Sequence, residues 1–237
     1  MACRVGMLLL VCVAMVCALV SSSAPGSAAN VTPRFGPANF TGHVIDNPYF
    51  PLVPGTTFFY EGQKGGVPGS NVTQVTHDTK LIAGVVCVVV LDQAFENGTT
   101  LVEQTFDWYA QDRFGNVWYF GEDATEFPSG SKEGSWEAGV NGALPGVQME
   151  AHPRVGDQYS QEIAIGVAQD MAQVLSVNKT LTTSLGSFDD LLLTKEWSPL
   201  DKGVAEHKYY APGVGFIYGV TAKGGSEDTT LVAITGP

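Results

Sequence analysis

From residue 56 onward, apolar and polar residues alternate over short stretches, which are separated by Gly, Pro, Asn and Asp. Side chains of a β-strand point alternately to opposite faces, so this pattern predicts strands with one apolar face. The stretches are also rich in Val, Thr, Tyr, Phe and Trp, which favour strands. The predicted strands lie near 56–61, 71–79, 84–92, 100–111, 116–122, 158–165, 174–183, 188–197, 205–211, 214–222 and 228–234.

Other parts of the chain lack this alternation. The best helix candidate is 167–176 (VAQDMAQVLS), which is long enough for one or two turns. The stretch 123–156 is irregular and rich in Gly and Ser, and it predicts a long loop that packs through Trp136. The segment 30–55 is extended and interrupted by prolines.

Consecutive strands joined by short turns are expected to be antiparallel neighbours. So many strands over one apolar face predict an all-β fold with a single, strongly curved or closed antiparallel sheet, since closure removes exposed edges. We therefore expect one β-domain at 56–237, a half-barrel or barrel with at most one short helix. The extended segment at 30–55 precedes it.

The first residues predict export of the chain. Arg4 is followed by an apolar run from Val5 to Val20 and by small residues that end in Ser27-Ala28-Ala29. This is the pattern of a cleaved signal peptide, here 1–29. The apolar run is shorter than the roughly 20 residues that a membrane-spanning helix needs, which argues against an uncleaved anchor. We expect a secreted protein, extracellular or, in a Gram-negative bacterium, periplasmic.

The chain is acidic, with 12 basic and 24 acidic residues and a net charge of −12. Removal of the signal peptide removes Arg4 and makes the charge −13. This surface argues against nucleic acid or an anionic membrane as a partner. Signal cleavage also leaves a single cysteine, Cys87, so no internal disulfide is expected. Cys87 stands in the apolar run GVVCVVVL, which indicates a core residue rather than a nucleophile.

A dense group of aromatic and acidic residues occupies 106–123 (FDWYAQDRFGNVWYFGED). Alternation around the predicted turn divides this hairpin into an aromatic face and a mixed face. The first holds Phe106, Trp108, Trp118 and Phe120, and the second holds Asp107, Tyr109 and Tyr119. Two interpretations are open. The hairpin is either an ordinary half-buried one, or one of its faces lines a concave cavity, because ligand pockets combine apolar walls with a few polar groups.

Five asparagines begin the triplet Asn-X-Ser/Thr, more than chance predicts among the asparagines of this chain. They are Asn30, Asn39, Asn71, Asn97 and Asn178. In a eukaryotic secreted protein these are candidate glycosylation sites on exposed loops. In a bacterial protein the same triplets carry no such meaning.

Motifs for metal binding and catalysis are lacking in the sequence. The four histidines, His43, His77, His152 and His207, have no metal-ligand spacing, so no metal site and no cofactor are predicted. Nothing matches a calcium-binding loop, a nucleophile elbow or a phosphate-binding loop. Among the histidines, His207 is the strongest candidate for a site, since it shares a predicted strand face with Tyr209.

Three passages carry a resemblance to a known family. They are NPYFPL at 47–52, the hairpin at 106–123, and SFDDLLLTKEWSPL at 187–200 followed by EHKYYAPGVG at 206–215. In these passages the chain resembles a family of secreted, largely bacterial β-rich proteins without an assigned activity. More distantly, it is similar in architecture to lipoprotein-carrier and lipocalin-like curved sheets. The resemblance implies export and a curved sheet, and it implies no catalytic residue.

The sequence therefore favours a secreted, non-catalytic protein that binds a small apolar or amphipathic molecule on an aromatic-rich concave sheet. Two alternatives stay open: a structural or interaction protein of the cell envelope or extracellular matrix, and an extracellular hydrolase that uses cross-strand carboxylates or His207. The candidate ligand-binding residues are Trp108, Tyr109, Trp118, Tyr119, His207, Tyr209 and Tyr210.

Overall fold

The structure, a computed structural model, describes residues 33–42 and 44–237. It is built almost entirely of strands, with one short 3-10 helix at Pro37–Asn39. The strands are β1 (Thr57–Lys64), β2 (Val67–Ile82), β3 (Val85–Glu96), β4 (Thr100–Gln111), β5 (Val117–Glu126), β6 (Trp136–Glu137), β7 (Leu144–Met149), β8 (Gln158–Ser160), β9 (Glu162–Ile163), β10 (Met171–Thr183), β11 (Gly186–Trp197), β12 (Ala205–Ala211), β13 (Gly215–Lys223) and β14 (Glu227–Thr235).

All strands belong to one antiparallel sheet in the order β8-β10-β11-β12-β13-β14-β1-β2-β3-β4-β5-β7-β9, with β6 paired to β5. Its two end strands, β8 and β9, are separated in the chain only by Gln161. The backbone amides of Gln161 and Glu162 both donate to the carbonyl of Asp170, at 2.7 and 3.2 Å. The sheet thus curls until its ends meet and forms a nearly closed barrel, which confirms the predicted fold class.

One local prediction was wrong, and another was correct only in part. The helix candidate at 167–176 runs into β10, where Ala172, Val174 and Ser176 are buried and the residues between them are less so. That period of two belongs to a strand, and it outweighs the helical spacing of so short a segment. In the predicted loop 123–156, β5 continues to Glu126, and β6 and β7 follow. Trp136 is buried there, as predicted.

Both faces of the hairpin β4–β5 are buried. Tyr109 and Tyr119 point into the barrel, where their rings stack with centroids 4.7 Å apart and an angle of 16° between the planes. On the outer face, residues 33–42 cover the hairpin. The rings of Phe35 and Phe40 lie 5.5 to 6.0 Å from those of Trp118 and Phe120. The N-terminal segment therefore covers the outer face of the hairpin, which would otherwise be exposed to solvent.

The segment that contains NPYFPL closes one end of the barrel. A β-bridge joins Ile45 to Leu52, and both side chains are buried. The amide of Asn47 donates to the carbonyls of Gly115 and Glu150, at 2.9 and 3.0 Å, which ties the segment to the tip of the hairpin. Phe50 packs against Tyr109 inside the barrel, with ring centroids 5.2 Å apart. Within the described residues, no helix is both long and apolar enough to cross a membrane.

Candidate functional site

A cleft of about 430 Å³ lies beside strands β4, β5 and β6, and we call it the tryptophan cleft. Trp108 of β4 and Trp136 of β6 line it, together with Glu122 of β5. The walls come from the turn after β6, at 140–143, and from the turn after β9, at 164–167. A cleft of this volume is within the range of small-molecule sites, about 300 to 1,000 Å³.

The mouth of the tryptophan cleft is apolar and exposed to solvent. Ile165 exposes 78% of its surface, Val140 48% and Val167 46%, and all three line the cleft. Leu144, which begins β7 and pairs with Ile163, is also exposed. A soluble chain seldom groups large apolar side chains around a concave surface unless something covers them.

One cation lies over the indole of Trp108. The ammonium nitrogen of Lys80 is 3.3 Å from the ring centroid and 2.7 Å from Oε2 of Glu137. The Lys80 and Glu137 side chains are each about one third exposed, at 38% and 34%. An ammonium held between an aromatic face and a carboxylate is a favourable arrangement, worth up to about 2 kcal/mol when desolvated.

A β-bulge at Gly121 shapes the floor of the cleft. Asp107 pairs with Glu122, and Tyr109 pairs with Tyr119. Two residues of β5, Phe120 and Gly121, therefore lie opposite a single residue of β4, Trp108. Gly121 has φ of +126°, and a Cβ there would lie 2.2 Å from the carbonyl oxygen of Trp136. The extra residue turns Glu122 to the face of Tyr119, and the missing side chain lets β6 approach.

Behind this floor, buried acidic side chains run around the inside of the barrel. We call them the carboxyl belt: Asp92, Asp107, Glu122, Glu162, Asp170, Glu196 and Glu206. Neighbouring members are close enough for the charge of one to shift the pKa of the next. Asp107 is influenced by Asp92 and Glu122, Glu162 by Glu122 and Asp170, and Asp170 by Glu196 and Glu206. Glu122 belongs to both the belt and the tryptophan cleft, so it connects the two.

Tyr119 contacts residues of both the carboxyl belt and the tryptophan cleft. The hydroxyl of Tyr119 lies 2.5 Å from Oδ1 of Asp107 and 3.1 Å from Oε2 of Glu122. Burial raises the pKa of Asp107 well above its ordinary value, and the neighbouring Glu122 raises it further. Trp136 packs edge-on against the Tyr119 ring at 5.5 Å.

Glu162 and Asp170 form a second acidic pair where the ends of the sheet meet. Burial raises the pKa of each carboxyl well above its ordinary value. The charge of Asp170 acts in the same direction on Glu162, whereas Ser198 and Lys208 only partly offset the effect on Asp170. Carboxyls in such surroundings bind their protons more tightly than exposed carboxyls do.

The buried Lys208 neutralises negative charge at the part of the carboxyl belt that Glu196 and Glu206 form. The ammonium of Lys208 is 2.8 Å from Oε2 of Glu196 and 3.7 Å from Oε2 of Glu206. Burial lowers the pKa of Lys208, but the attraction of the two carboxylates outweighs it, so the pKa lies above the ordinary value. The hydroxyl of Tyr210 donates to Oε1 of Glu196 at 2.8 Å. These contacts satisfy a buried charge, and we see no position there for an external ligand.

The structure divides the residues predicted to bind a ligand among several places. Trp108 lines the tryptophan cleft, whereas Tyr109, Tyr119 and Tyr210 fill the barrel. The remaining three lie outside both: Trp118 under Phe35 and Phe40, and the half-buried His207 and Tyr209 on the outer face of β12. Burial, followed by the charge of Lys195, lowers the pKa of His207.

Sequence reasoning missed the residues that complete the cleft, namely Lys80, Glu122, Trp136, Glu137 and Ile165. They come from distant parts of the chain, and alternation gives no sign that they meet. Gly121 within an otherwise aromatic strand is the one local signal, because an isolated glycine in a strand often marks a bulge. Ile165 ends the predicted strand at 158–165, whereas in the structure it lies exposed in the turn after β9.

The candidate glycosylation sites differ in accessibility. Asn97, in the turn between β3 and β4, and Asn178, in β10, are exposed, and Asn39 is half-buried. Asn71 lies within β2, and its amide donates to Oδ1 of Asp92 at 2.5 Å. Asn30 lies outside the described residues.

The histidines and the cysteine that the structure describes come from separate parts of the fold. Within 33–42 and 44–237, no cluster of three or more His, Cys, Asp or Glu residues is arranged to hold a metal ion. His77 and His152 are exposed at separate places, and His43 lies outside the described residues. Cys87 is fully buried, and burial raises the pKa of its thiol to about 12, so it is a core residue rather than a nucleophile.

Comparison with known proteins gives matches in structure alone. No protein-family model matches the chain, and no curated protein matches it. A predicted exported protein with a YmcC-like fold from Bacteroides fragilis is 14% identical, with a TM-score of 0.47, and the match covers 79% of this chain and 98% of that one. A predicted lipoprotein from Parabacteroides distasonis is 13% identical, with a TM-score of 0.46 and coverages of 82% and 100%.

Proposed function

We propose that this chain is an extracytoplasmic, non-catalytic protein that binds a small amphipathic molecule in the tryptophan cleft. The observation that supports this most directly is the cleft itself, whose floor presents Trp108 and Trp136 beneath an apolar, exposed mouth. Indole rings, apolar walls and a few charged groups are the usual composition of such sites. The predicted signal peptide at 1–29 supports the location, although it lies outside the described residues.

The barrel interior is a poor place for the ligand. The cavity between the closing segment and the interior aromatic residues, next to Phe50, Tyr60 and Tyr109, has a volume of about 30 Å³. That is the space of about one water molecule. A ligand inside the barrel would have to displace stacked tyrosines, whereas the tryptophan cleft has room without rearrangement. The binding site we propose is therefore the tryptophan cleft rather than the small cavity inside the barrel.

A binding titration with an uncharged apolar dye such as Nile red tests this proposal. We expect the dye to gain fluorescence with the wild-type protein and with Val155→Asp, but not with Ile165→Asp. Both substitutions place a carboxylate on an exposed apolar side chain, 65% exposed at Val155 and 78% at Ile165, and only Ile165 lines the cleft. The proposal fails if the wild-type protein leaves the dye dark or if both variants bind it equally.

A structural or interaction protein is the second candidate, and the exposed mouth of the cleft favours it. Val140, Ile165 and Val167 would then contact a protein partner instead of a small molecule. Sedimentation distinguishes the two functions. If the partner is a second copy of the chain, the wild-type protein sediments as a dimer and Ile165→Asp sediments as a monomer. A hydrolase has less support, since the described histidines come from separate strands and loops.

A further inference from the structure

We infer that the tryptophan cleft selects a cationic amphiphile, whose ammonium group takes the position now held by Lys80 and whose alkyl tail lies along Val140, Ile165 and Val167. This inference rests on the proposed function, since it names the class of molecule that the same cleft binds. It follows from three features of the cleft: the charges that line it, the contacts of Lys80, and the position of the apolar mouth.

Acidic residues outnumber basic ones in the cleft lining. Glu122, Asp123 and Glu137 line it, and Lys80 is the one basic residue among the lining residues that the structure describes. Asp123 also pairs with Lys132 at 2.7 Å, but those side chains are about half exposed, at 49% and 55%. An exposed ion pair of this kind contributes little and leaves the carboxylate open to other cations. The chain as a whole carries a charge of −12, which repels anionic ligands from the cleft.

The contacts of Lys80 show what the cleft prefers at its floor. Its ammonium lies against the Trp108 ring and the Glu137 carboxylate at the same time, at 3.3 and 2.7 Å. An indole face and a carboxylate attract a cation and do not attract a carboxylate or sulfate. The Lys80 ammonium is carried on a flexible stem and its side chain is 38% exposed, so it can withdraw into solvent when a ligand ammonium takes over both contacts. An ammonium ligand would then find both partners in place.

The apolar mouth gives the tail of such a ligand a place to lie. Ile165 and Val167 come from the turn after β9 and Val140 from the turn after β6, and all three belong to the lining that includes Trp108. An alkyl chain that leaves the floor therefore passes between apolar side chains before it reaches solvent. Each methylene buried in this way strengthens binding by about four-fold. A hydrophilic cation without a tail would lack this contribution and bind weakly.

Calorimetric titration with three ligands of one chain length tests the inference: decyltrimethylammonium, decyl maltoside and decanoate, each below its micellar concentration. We expect the cation to bind at least about ten-fold more tightly than decanoate, with the maltoside between them, and the preference to shrink as salt is added. Equal or tighter binding of decanoate overturns the inference but leaves the proposed function standing. No binding of any of the three overturns both.

Substitutions at the floor give an independent test. Lys80→Gln removes the competing ammonium, so affinity for decyltrimethylammonium should rise several-fold, whereas a cleft built for anions would lose affinity. Glu137→Gln should lower affinity for the cation several-fold. Glu133→Gln, a nearby exposed carboxylate outside the lining, serves as the matched control and should bind like the wild-type protein. Unchanged or weaker cation binding in Lys80→Gln, with unchanged binding in Glu137→Gln, contradicts the inference.

Discussion

The hydroxyl of Tyr119 donates a hydrogen bond to Oδ1 of Asp107 across strands β4 and β5, with the two oxygens 2.5 Å apart. Tyr119 also contacts Glu122, and Trp136 packs edge-on against its ring. One phenol thus joins the buried carboxyl belt to the floor of the tryptophan cleft. The polar interior of this barrel is therefore part of the support for the surface that we propose binds a ligand.

The first prediction concerns that phenol. Tyr119→Phe keeps the ring but removes the hydroxyl that contacts Asp107 and Glu122, so two buried carboxyls lose a partner. We expect the free energy of unfolding to fall by about 2 kcal/mol, as measured by urea denaturation. Tyr209→Phe, at a half-buried tyrosine on the outer face, is the control and should change stability by less than about 1 kcal/mol. Equal effects of the two substitutions would contradict the assigned role of Tyr119.

The second prediction is that the protein loses stability as the pH rises toward neutrality. Burial raises the pKa of Asp92 from 3.8 to about 7, which hydrogen bonds from Thr73 and Asn71 only partly offset. The folded state therefore keeps a proton that the unfolded chain releases. The contribution of Asp92 to the free energy of unfolding is fully present below about pH 4, decreases as the pH rises, and is lost above about pH 7. A pKa difference of one is worth about 1.4 kcal/mol.

Asp92→Asn isolates this contribution, because asparagine resembles the protonated acid. The variant should be about as stable as the wild-type protein near pH 4 and more stable near pH 8. Asp189→Asn removes an exposed carboxylate and should follow the wild-type curve at both values. Thermal or urea unfolding across this range provides the measurement. A wild-type protein that gains stability between pH 4 and pH 8 relative to Asp92→Asn would refute a neutral, buried Asp92.

The third prediction concerns the bulge at Gly121. In Gly121→Ala the new Cβ meets the carbonyl of Trp136 at 2.2 Å, and the backbone has φ of +126°. Strain and overpacking together should cost about 3 kcal/mol or more and displace β6 from the cleft. Gly98→Ala, with φ of +87° and open space around the position, should cost only about 1 to 2 kcal/mol. If the two substitutions prove equally costly, the close approach of β6 is not what requires a glycine at 121.

The fourth prediction concerns glycosylation in a eukaryotic secretory host. Asn97 is exposed in a turn, so we expect a glycan there on the secreted protein. Asn71 should carry none, because its amide nitrogen is bonded to Asp92 inside the sheet. Peptide mapping by mass spectrometry distinguishes the two sites, and Asn97→Gln should remove the corresponding mass. A glycan on Asn71 in folded, secreted protein would contradict the described position of that side chain.

Alternation along the chain was sufficient to predict the barrel, because each strand follows a period of two. It could not predict which face of the hairpin points inward. Both faces are buried here, one by the barrel and the other by Phe35 and Phe40, which precede the hairpin by roughly 70 residues. A contact between such distant parts of the chain leaves no periodic signal. The sequence therefore indicated that the hairpin has two faces, but not that one lies inside the barrel and the other under the N-terminal segment.

The candidate site was only partly predictable for the same reason. Trp108 was identified from the density of aromatic residues, whereas Glu122 was not, and alternation alone would put Glu122 on the face of β5 opposite to Tyr119. The bulge at Gly121 reverses that face from its position onward. The carboxyl belt was missed because each acid, taken alone, looks like the polar, solvent-facing residue of an alternating strand. Only closure of the sheet turns these acids inward, and closure requires the pairing of β1 with β14, the first and last strands of the chain.

Quenching of tryptophan fluorescence by a trimethylammonium amphiphile that is brominated at the end of its tail tests the central claim most directly. Of the four tryptophans, Trp108 and Trp136 line the cleft, whereas Trp118 and Trp197 do not. We expect strong quenching in the Trp118→Phe/Trp197→Phe protein, which keeps only the cleft tryptophans, and little in Trp108→Phe/Trp136→Phe. Quenching confined to the protein that retains Trp118 and Trp197 would place the ligand elsewhere and contradict the account.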